Sequence, residues 1–374
     1  MRCLMRGGVL FVTGSLLILP DVGLAQANRK LAITDPGQAD ADFSIQGEYV
    51  GSALTPDTAT RHCWSSAALQ IIAMGNGQFE VVGYRGGLPG AGWDGSPQLR
   101  SPAARSATGL QLQDGTRLGI DADCGVLRAT SEQQAVVGHY QKVHRSSPTL
   151  GLQAPTGGQV LFDGTHVDEF KNGKMTADGL LMIGTEFKRR FADFQLHLEF
   201  RLPYMPHARG QGRSNSGVYL QSRYEVQILD SFGLSGANNE CGALYRYRKP
   251  RINMCFPPLS WQTYDITFRS PKFDESGKKT ENARLTVRHN GVLIHDDIAV
   301  ERKTGAGAKE SSELLPIKLQ NHGNPVHFRN VWIVEGRDHS ALITGSHSRA
   351  CCCPSPRRRS TGLRDLLSTV FGRR

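Results

Sequence analysis

The stretch Ser214–Asp230 constrains this chain more than any other. It reads Ser-Asn-Ser-Gly-Val-Tyr-Leu-Gln-Ser-Arg-Tyr-Glu-Val-Gln-Ile-Leu-Asp. After Gly217 it contains neither Gly nor Pro and is rich in Val, Ile, Tyr and Leu, a composition that favours extended backbone. Alternation puts Val218 and Leu220 on one face and Tyr219 and Gln221 on the other. From Tyr224 onward, Tyr224, Val226 and Ile228 oppose Glu225 and Gln227. One face of this strand seeks a core. The other presents a tyrosine, two amides, Arg223 and a carboxylate. It reads either as the outer face of a half-buried antiparallel strand or as the floor of a polar ligand site. Holding such long side chains in order costs rotamer freedom, which binding would offset.

The rest of the chain is organised as β structure. Its 374 residues suit about two domains. The 42 glycines and the lack of sustained helical periodicity argue for a loop-rich all-β protein. Residues 28–42 read as a linker and 43–144 as a small β domain. That domain has strand-like runs at Leu69–Met74, Phe79–Tyr84, Leu110–Leu112 and Ala135–Tyr140, with turn signals at Asn76-Gly77 and Asp114-Gly115. Its glycine-rich segment Tyr84–Gly95 lacks the lysine and following helix of a phosphate cradle, and reads as a tight loop pinned by Trp93. Residues 145–158, dense in proline and glycine, mark a boundary. From 159 to 335, short alternating runs succeed one another with no interleaved helices, and His289-Asn290-Gly291 signals a hairpin. This predicts an antiparallel β-sandwich or jelly roll of the concanavalin A type.

The two ends carry most of the charge. Residues 1–27 have the basic start, short apolar run and small-x-small ending (Ala25-Gln26-Ala27) of a secretory signal, so the expectation is an exported protein, periplasmic or extracellular. The formal net charge is +10, but eight arginines against two aspartates lie beyond Glu335, and Arg2 and Arg6 lie in the signal. The remainder is near neutral, which argues against a nucleic-acid-binding body. Residues 336–374 read as a disordered basic tail. In an oxidising compartment Cys241 and Cys255 are expected to form a disulfide, and Cys63 with Cys124 is a weaker pairing. No cysteine pair has zinc-site spacing.

Residues Val160 to Glu335 resemble the 3-keto-disaccharide hydrolase domain family. The resemblance is carried by Leu161-Phe-Asp-Gly164, Asn215-Ser-Gly-Val-Tyr-Leu220, Tyr224-Glu-Val-Gln-Ile-Leu-Asp230 and Cys241-Gly-Ala-Leu-Tyr245. It continues through Trp261-Gln-Thr-Tyr-Asp-Ile266, Leu319-Gln-Asn-His-Gly323 and Phe328-Arg-Asn-Val-Trp-Ile333. The resemblance implies a concanavalin-like sandwich cleaving glycosides whose sugar already carries a ketone at carbon 3. That ketone acidifies the proton at carbon 2, so a base can generate an enolate that expels the group at carbon 1, after which water adds. Such a route needs one general base, a positive or hydrogen-bonding group at the enolate oxygen and a donor to the leaving group. It does not need the paired carboxylates of an ordinary glycosidase.

With the resemblance in view, Glu225 and His322 are the candidate bases and Lys318 the candidate enolate stabiliser. Asn215, Tyr219, Gln221, Arg223, Gln227, Asp230 and Gln320 are the candidate sugar contacts. Each has a plain alternative, such as Glu225 as a surface carboxylate paired to Arg223 or Arg201. Glu225 and His322, with His197 or Asp230, offer mixed oxygen and nitrogen ligands to a divalent cation such as zinc or manganese. No nucleotide-binding fingerprint is present, so the implied partner is an upstream sugar 3-dehydrogenase. A non-catalytic carbohydrate-binding sandwich is the alternative reading. A conventional β-glucanase-type glycosidase pairing Glu225 with Glu199 is the third.

Overall fold

A computed structural model describes residues 30–58, 61–121 and 125–336. The signal segment, Cys124, Cys351 to Cys353 and the basic tail lie outside the described residues. Eight strands come first: β1 (Gly47–Thr58), β2 (Arg61–Gly75), β3 (Gln78–Arg85), β4 (Leu99–Ser106), β5 (Gly109–Leu112), β6 (Arg117–Asp121), β7 (Val126–Thr130) and β8 (Val136–Val143). Each pairs antiparallel with the next, and β8 returns to β1, so the sheet closes into an up-and-down barrel. Closure removes the free edges that a lone sheet would expose. Sequence reading finds only half of these strands. The others carry Gly, Ala, Ser and Pro on segments such as Gly51-Ser52-Ala53 and Ser101-Pro102-Ala103, which lack the β-branched and aromatic signal.

Tyr49, Ile71, Phe79, Leu110 and Leu127 fill one half of the barrel. The end where β1 begins is plugged by the short helix Ala41–Ile45 and by Tyr204, whose ring lies 5.1 Å from that of Phe43. Trp93 packs edge-on against Tyr84 at 5.5 Å, the pin expected of the glycine-rich loop.

Fourteen strands follow. They are β9 (Gln159–Phe162), β10 (Phe170–Lys171), β11 (Leu181–Met182), β12 (Thr185–Phe187), β13 (Phe194–Arg201), β14 (Ser216–Leu220) and β15 (Tyr224–Ile228). After them come β16 (Trp261–Arg269), β17 (Lys272–Phe273), β18 (Lys279–Glu281), β19 (Ala283–His289), β20 (Val292–Val300), β21 (Lys318–Leu319) and β22 (His327–Glu335). One sheet runs β10-β12-β21-β14-β15. The other runs β11-β22-β13-β16-β19-β20, with β9 also on β22. The two faces pack as an antiparallel sandwich. Phe194, Leu196, Leu198 and Phe200 of β13 and Val218, Leu220, Tyr224, Val226 and Ile228 of β14 and β15 belong to one buried core. The β19–β20 hairpin turns through Asn290 and Gly291, both at positive φ (50° and 77°), as the Asn-Gly signal requires. Among the described residues no helix is long and apolar enough to cross a membrane.

One expectation is corrected here. Ser214–Asp230 is not a single strand but a tight hairpin, because the chain reverses at Gln221-Ser222-Arg223. Gln221 and Ser222 hold positive φ (47° and 53°) without the Gly or Asn that usually marks such a turn. The turn is held by side chains instead. Gln221 Nε2 donates to Phe191 O at 2.9 Å and to Ser270 Oγ at 2.6 Å. The buried Arg223 guanidinium donates to Lys309 O, Ser311 Oγ and Glu313 O.

The expected Cys241–Cys255 bridge is also absent from this structure. The two are buried neighbours with free thiols, hydrogen-bonded to one another. Cys241 Sγ also meets Tyr264 Oη at 3.2 Å, and the Cys255 thiol points at Leu229 O and Phe256 O. Both sulfurs are satisfied as thiols and sealed from solvent.

Candidate active site

The outward face of the five-stranded sheet carries a row of functional side chains, one per strand. Strand register pairs Lys171 with Glu186, Glu186 with Lys318, Lys318 with Tyr219 and Tyr219 with Glu225. Cross-strand partners project to the same side, so the row is a direct consequence of register. Above it lies a cleft of about 410 Å³ whose lining includes Thr185, Glu186, Tyr219, Lys318, Gln320 and Asn321.

Glu225 sits at one end of the row and is 2% exposed. Burial pushes its carboxyl up to about 7, against a smaller lowering by the hydrogen bond from Tyr219. The Tyr219 hydroxyl donates to Glu225 Oε2 at 2.7 Å. With its amide turned to give both ends compatible partners, Gln227 donates to Glu225 Oε1 at 3.1 Å. The backbone leaves this carboxyl just enough room. A Cβ on Gly217 would stand 2.5 Å from Glu225 Oε1, and one on Gly305 3.0 Å from Oε2. The outer edge of β15 is covered on both sides of Glu225. Its N–H donates to Thr304 Oγ1 at 2.7 Å, and its carbonyl accepts from Tyr245 N at 3.1 Å. The Thr304 loop brings Ala306 and Ala308 into the cleft wall.

The cleft also holds unsatisfied polar atoms. Thr185 Oγ1 and Gln320 Oε1 are buried with no hydrogen-bond partner, and both residues line it. Gln320 alternates with Leu319 and shares the face of Lys318, so its Oε1 is free to take a hydrogen bond from a hydroxylated ligand, whereas Thr185 pairs with the core residue Leu319 and turns its hydroxyl inward. Lys318 forms an ion pair with Glu186 at 2.9 Å while remaining 40% exposed, so it can also face the cleft.

The structure thus assembles Glu225, Tyr219, Gln227, Lys318 and Gln320 on one surface and separates the other candidates from it. Gln221 and Arg223 are consumed in the hairpin turn, as described above. Asp230 is buried and ion-paired to Arg213 at 2.6 Å, a structural bond. Asn215 is buried, with its side chain donating to Gln211 O, and it supports the wall rather than the floor. His322 is exposed in the turn after β21; the cleft lining reaches Asn321 and excludes it. Sequence reading missed Thr185, Glu186 and the Thr304–Ala308 loop. The first two lie on a three-residue strand too short to show alternation, and the loop has no periodic signal at all.

The pairing of Glu225 with Glu199 is overturned. Leu198 and Phe200 of β13 face the core, so Glu199 points out of the seven-stranded sheet, on the opposite side of the sandwich from Glu225. There it belongs to a different network. Glu199 Oε2 accepts from Arg329 Nε at 2.6 Å and Oε1 from Gly151 N at 2.6 Å. His197, stacked on Trp332 at 5.0 Å, bonds to Asp265 at 2.6 Å. Burial alone would push Glu199 up, but hydrogen bonds from His197, Asn330, Gly151 and Arg329 hold it at about 2. This network fastens residues 147–152 across the sheet. The cation set is overturned with it. His197 lies on the far face and Asp230 is engaged by Arg213, so the four prospective ligands do not converge. Among the described residues no three His, Cys, Asp or Glu side chains are grouped to hold a metal.

Residues 157–334 match the family described as 3-keto-alpha-glucoside-1,2-lyase-like domain. Solved structures of three Parabacteroides distasonis proteins, each described as a "putative glycosyl hydrolase", are similar to about half of the chain. The first is 32% identical, with a TM-score of 0.45, covering 49% of this chain and 86% of its own. The second is 17% identical, with a TM-score of 0.36, covering 49% and 95%. The third is 22% identical, with a TM-score of 0.34, covering 48% and 99%. No curated protein matches the chain.

Proposed function

We propose, from the membership of residues 157–334 in the 3-keto-alpha-glucoside-1,2-lyase-like domain family, that this chain cleaves glycosides whose sugar carries a ketone at carbon 3. One observation carries the reading. Glu225, a buried carboxyl poised to ionise near neutrality, stands in the same cross-strand row as the cleft residues Glu186, Lys318 and Tyr219 and accepts a hydrogen bond from the Tyr219 hydroxyl, while Glu199 faces away on the other sheet. The other carboxylate of the row, Glu186, is held by Lys318 at 2.9 Å, which leaves Glu225 as the carboxyl suited to abstract a proton next to a ketone.

In this scheme the Glu225 carboxylate takes the proton from carbon 2. The C–H electron pair moves to the ketone oxygen as an enolate, which Lys318 stabilises from two strands away, about 9.6 Å across the sheet. Collapse of the enolate breaks the bond from carbon 1 to its oxygen, and the departing alkoxide takes the proton that Glu225 has removed, which restores the carboxylate. Water then adds across the new double bond, so the sum of the two steps is hydrolysis. Gln320 holds a sugar hydroxyl. In this reading the ketone comes from a separate sugar 3-dehydrogenase, and residues 1–27, read as a secretory signal, support a reaction outside the cytoplasm.

Purified protein incubated with a 3-keto-disaccharide should release the free 3-keto sugar and leave the unoxidised disaccharide intact. Equal cleavage of both would replace this reading with a conventional glycosidase. Binding of an unoxidised glycan without turnover of either would make the sandwich a carbohydrate-binding module.

A further inference from the structure

The barrel is filled at one end and hollow at the other. Inward-facing positions follow from register, since antiparallel partners share a face. Tyr49, Leu69, Ile71 and Phe79 face inward in the plugged half. Along the same faces toward the opposite end, most inward positions become small: Gly51 pairs with Ala67, Ala53 with Gly138, and Gly138 with Ala129, with the Tyr140 ring lying over Gly138 as one wall. Gly83 and Ser101 continue the pattern on β3 and β4. Side chains of native size would fill an eight-stranded barrel; small ones leave space for one ligand. The space is a cavity of about 510 Å³, lined by Ala53, Ala67, Leu69, Leu112, Leu118 and Val137 among others.

The rim adds charge to this apolar chamber. Arg85 pairs with Ala67 and therefore points to the same inner face, at the mouth. Among the described residues its guanidinium makes no hydrogen bond. Its neighbour Arg100, by contrast, is tied to Glu80, Gln98 and Gly233 O. Leu99, also at the rim, is 77% exposed, an unusual position for a large aliphatic side chain.

We propose that the barrel is a second, non-catalytic binding site for a small amphipathic acid, its apolar body in the Ala53–Ala67–Ala129 chamber and its anionic end at Arg85. The volume lies in the range of small-molecule sites, and the lining is mostly apolar; of its charged members Arg85, Arg100 and Asp114, Arg100 is tied up by hydrogen bonds and Arg85 is the cation placed to fix orientation. This site is separate from the Glu225 cleft and does not depend on the activity assigned to it.

The test uses the full chain and 8-anilinonaphthalene-1-sulfonate, a fluorophore with an apolar ring system and one anionic group. Its fluorescence should rise on binding at a single site, and decanoate should displace it. Ala67→Phe, which fills the chamber, should abolish binding. Leu99→Asp, at an exposed position that folding tolerates, should weaken it by setting an anion at the mouth. Arg85→Gln should weaken decanoate about tenfold, the loss of one charge-assisted contact. No binding by the parent protein would overturn the proposal. Undiminished binding by both Ala67→Phe and Leu99→Asp would do the same. Decanol binding as tightly as decanoate would overturn the anionic end.

Discussion

Tyr219 and Glu225 face each other across the β14–β15 hairpin, and the tyrosine hydroxyl donates a 2.7 Å hydrogen bond to the carboxylate. Because the bond favours the ionised carboxylate, Tyr219 restrains a carboxyl that burial is pushing up. Tyr219 itself is driven far above the ordinary phenol range, first by burial and then by the Glu225 charge, so it stays a donor throughout. The pair therefore sets where the base titrates.

The first prediction is the pH profile. With Glu225 at about 7, kcat/KM for a 3-keto-disaccharide should fall on the acid side with an apparent pKa near 7, far above an ordinary glutamate. An acid limb near 4.5 would remove Glu225 from the role of base. Tyr219→Phe deletes the bond that lowers Glu225, so the limb should move up by roughly one pH unit, the equivalent of about 1.4 kcal/mol.

Glu225→Gln keeps the shape and removes the base. Turnover should drop roughly a hundred- to ten-thousand-fold, the usual worth of a positioned general base, while binding of the unreacted sugar changes little.

The same substitution should stabilise the fold at alkaline pH. Glu225 has a folded pKa near 7 against 4.5 for an unperturbed glutamate. Its favourable contribution is therefore complete below 4.5 and is lost as pH rises through 7. Above pH 7 the parent holds a buried charge that the glutamine variant lacks, a difference on the order of 3 kcal/mol at most. Thermal melts at pH 5 and pH 8 check it: the variant's advantage should be larger at pH 8. This is the stability cost expected of a functional carboxyl.

Lys318→Met should lower kcat by roughly two orders of magnitude if the ammonium meets the enolate oxygen. Glu186→Gln frees Lys318 from its 2.9 Å partner and should have a much smaller effect. Equal losses in the two variants would make the ion pair structural.

These residues were not equally legible in the sequence. Alternation alone places Tyr219, Glu225 and Gln227 opposite a core of Val218, Val226 and Ile228, and the core and the hydrogen-bonded polar face are both seen. Alternation says nothing about a reversal held by Gln221 and Arg223 side chains, since that turn lacks the Gly or Asn that turn rules read. The placement of Glu199 was hidden for a different reason. Its own strand pattern is clear, but which sheet receives β13 depends on pairing with β16 and β22, contacts far away in sequence. The barrel was half legible because the small residues that leave its cavity open also erase the strand signal.

Glu199 supplies the last prediction, and it separates the two faces of the sandwich. Hydrogen bonds from His197, Asn330, Gly151 and Arg329 outweigh burial and hold Glu199 at about 2, against 4.5 unperturbed. Such a group stabilises the fold above 4.5, and that stability is lost as pH falls from 4.5 toward 2. Its loss is worth on the order of 3 kcal/mol. Glu199→Gln keeps the shape but leaves Arg329 and the neighbouring His197 without their anion, so the melting temperature at neutral pH should fall clearly. The variant should also lose much of the parent's sensitivity to acid. Its kcat on a 3-keto-disaccharide should stay within a few-fold of the parent at a temperature where both are folded, because Glu199 faces away from the cleft. A drop in kcat as deep as that of Glu225→Gln, in a protein shown to be folded, would reinstate a two-carboxylate mechanism and contradict the geometry.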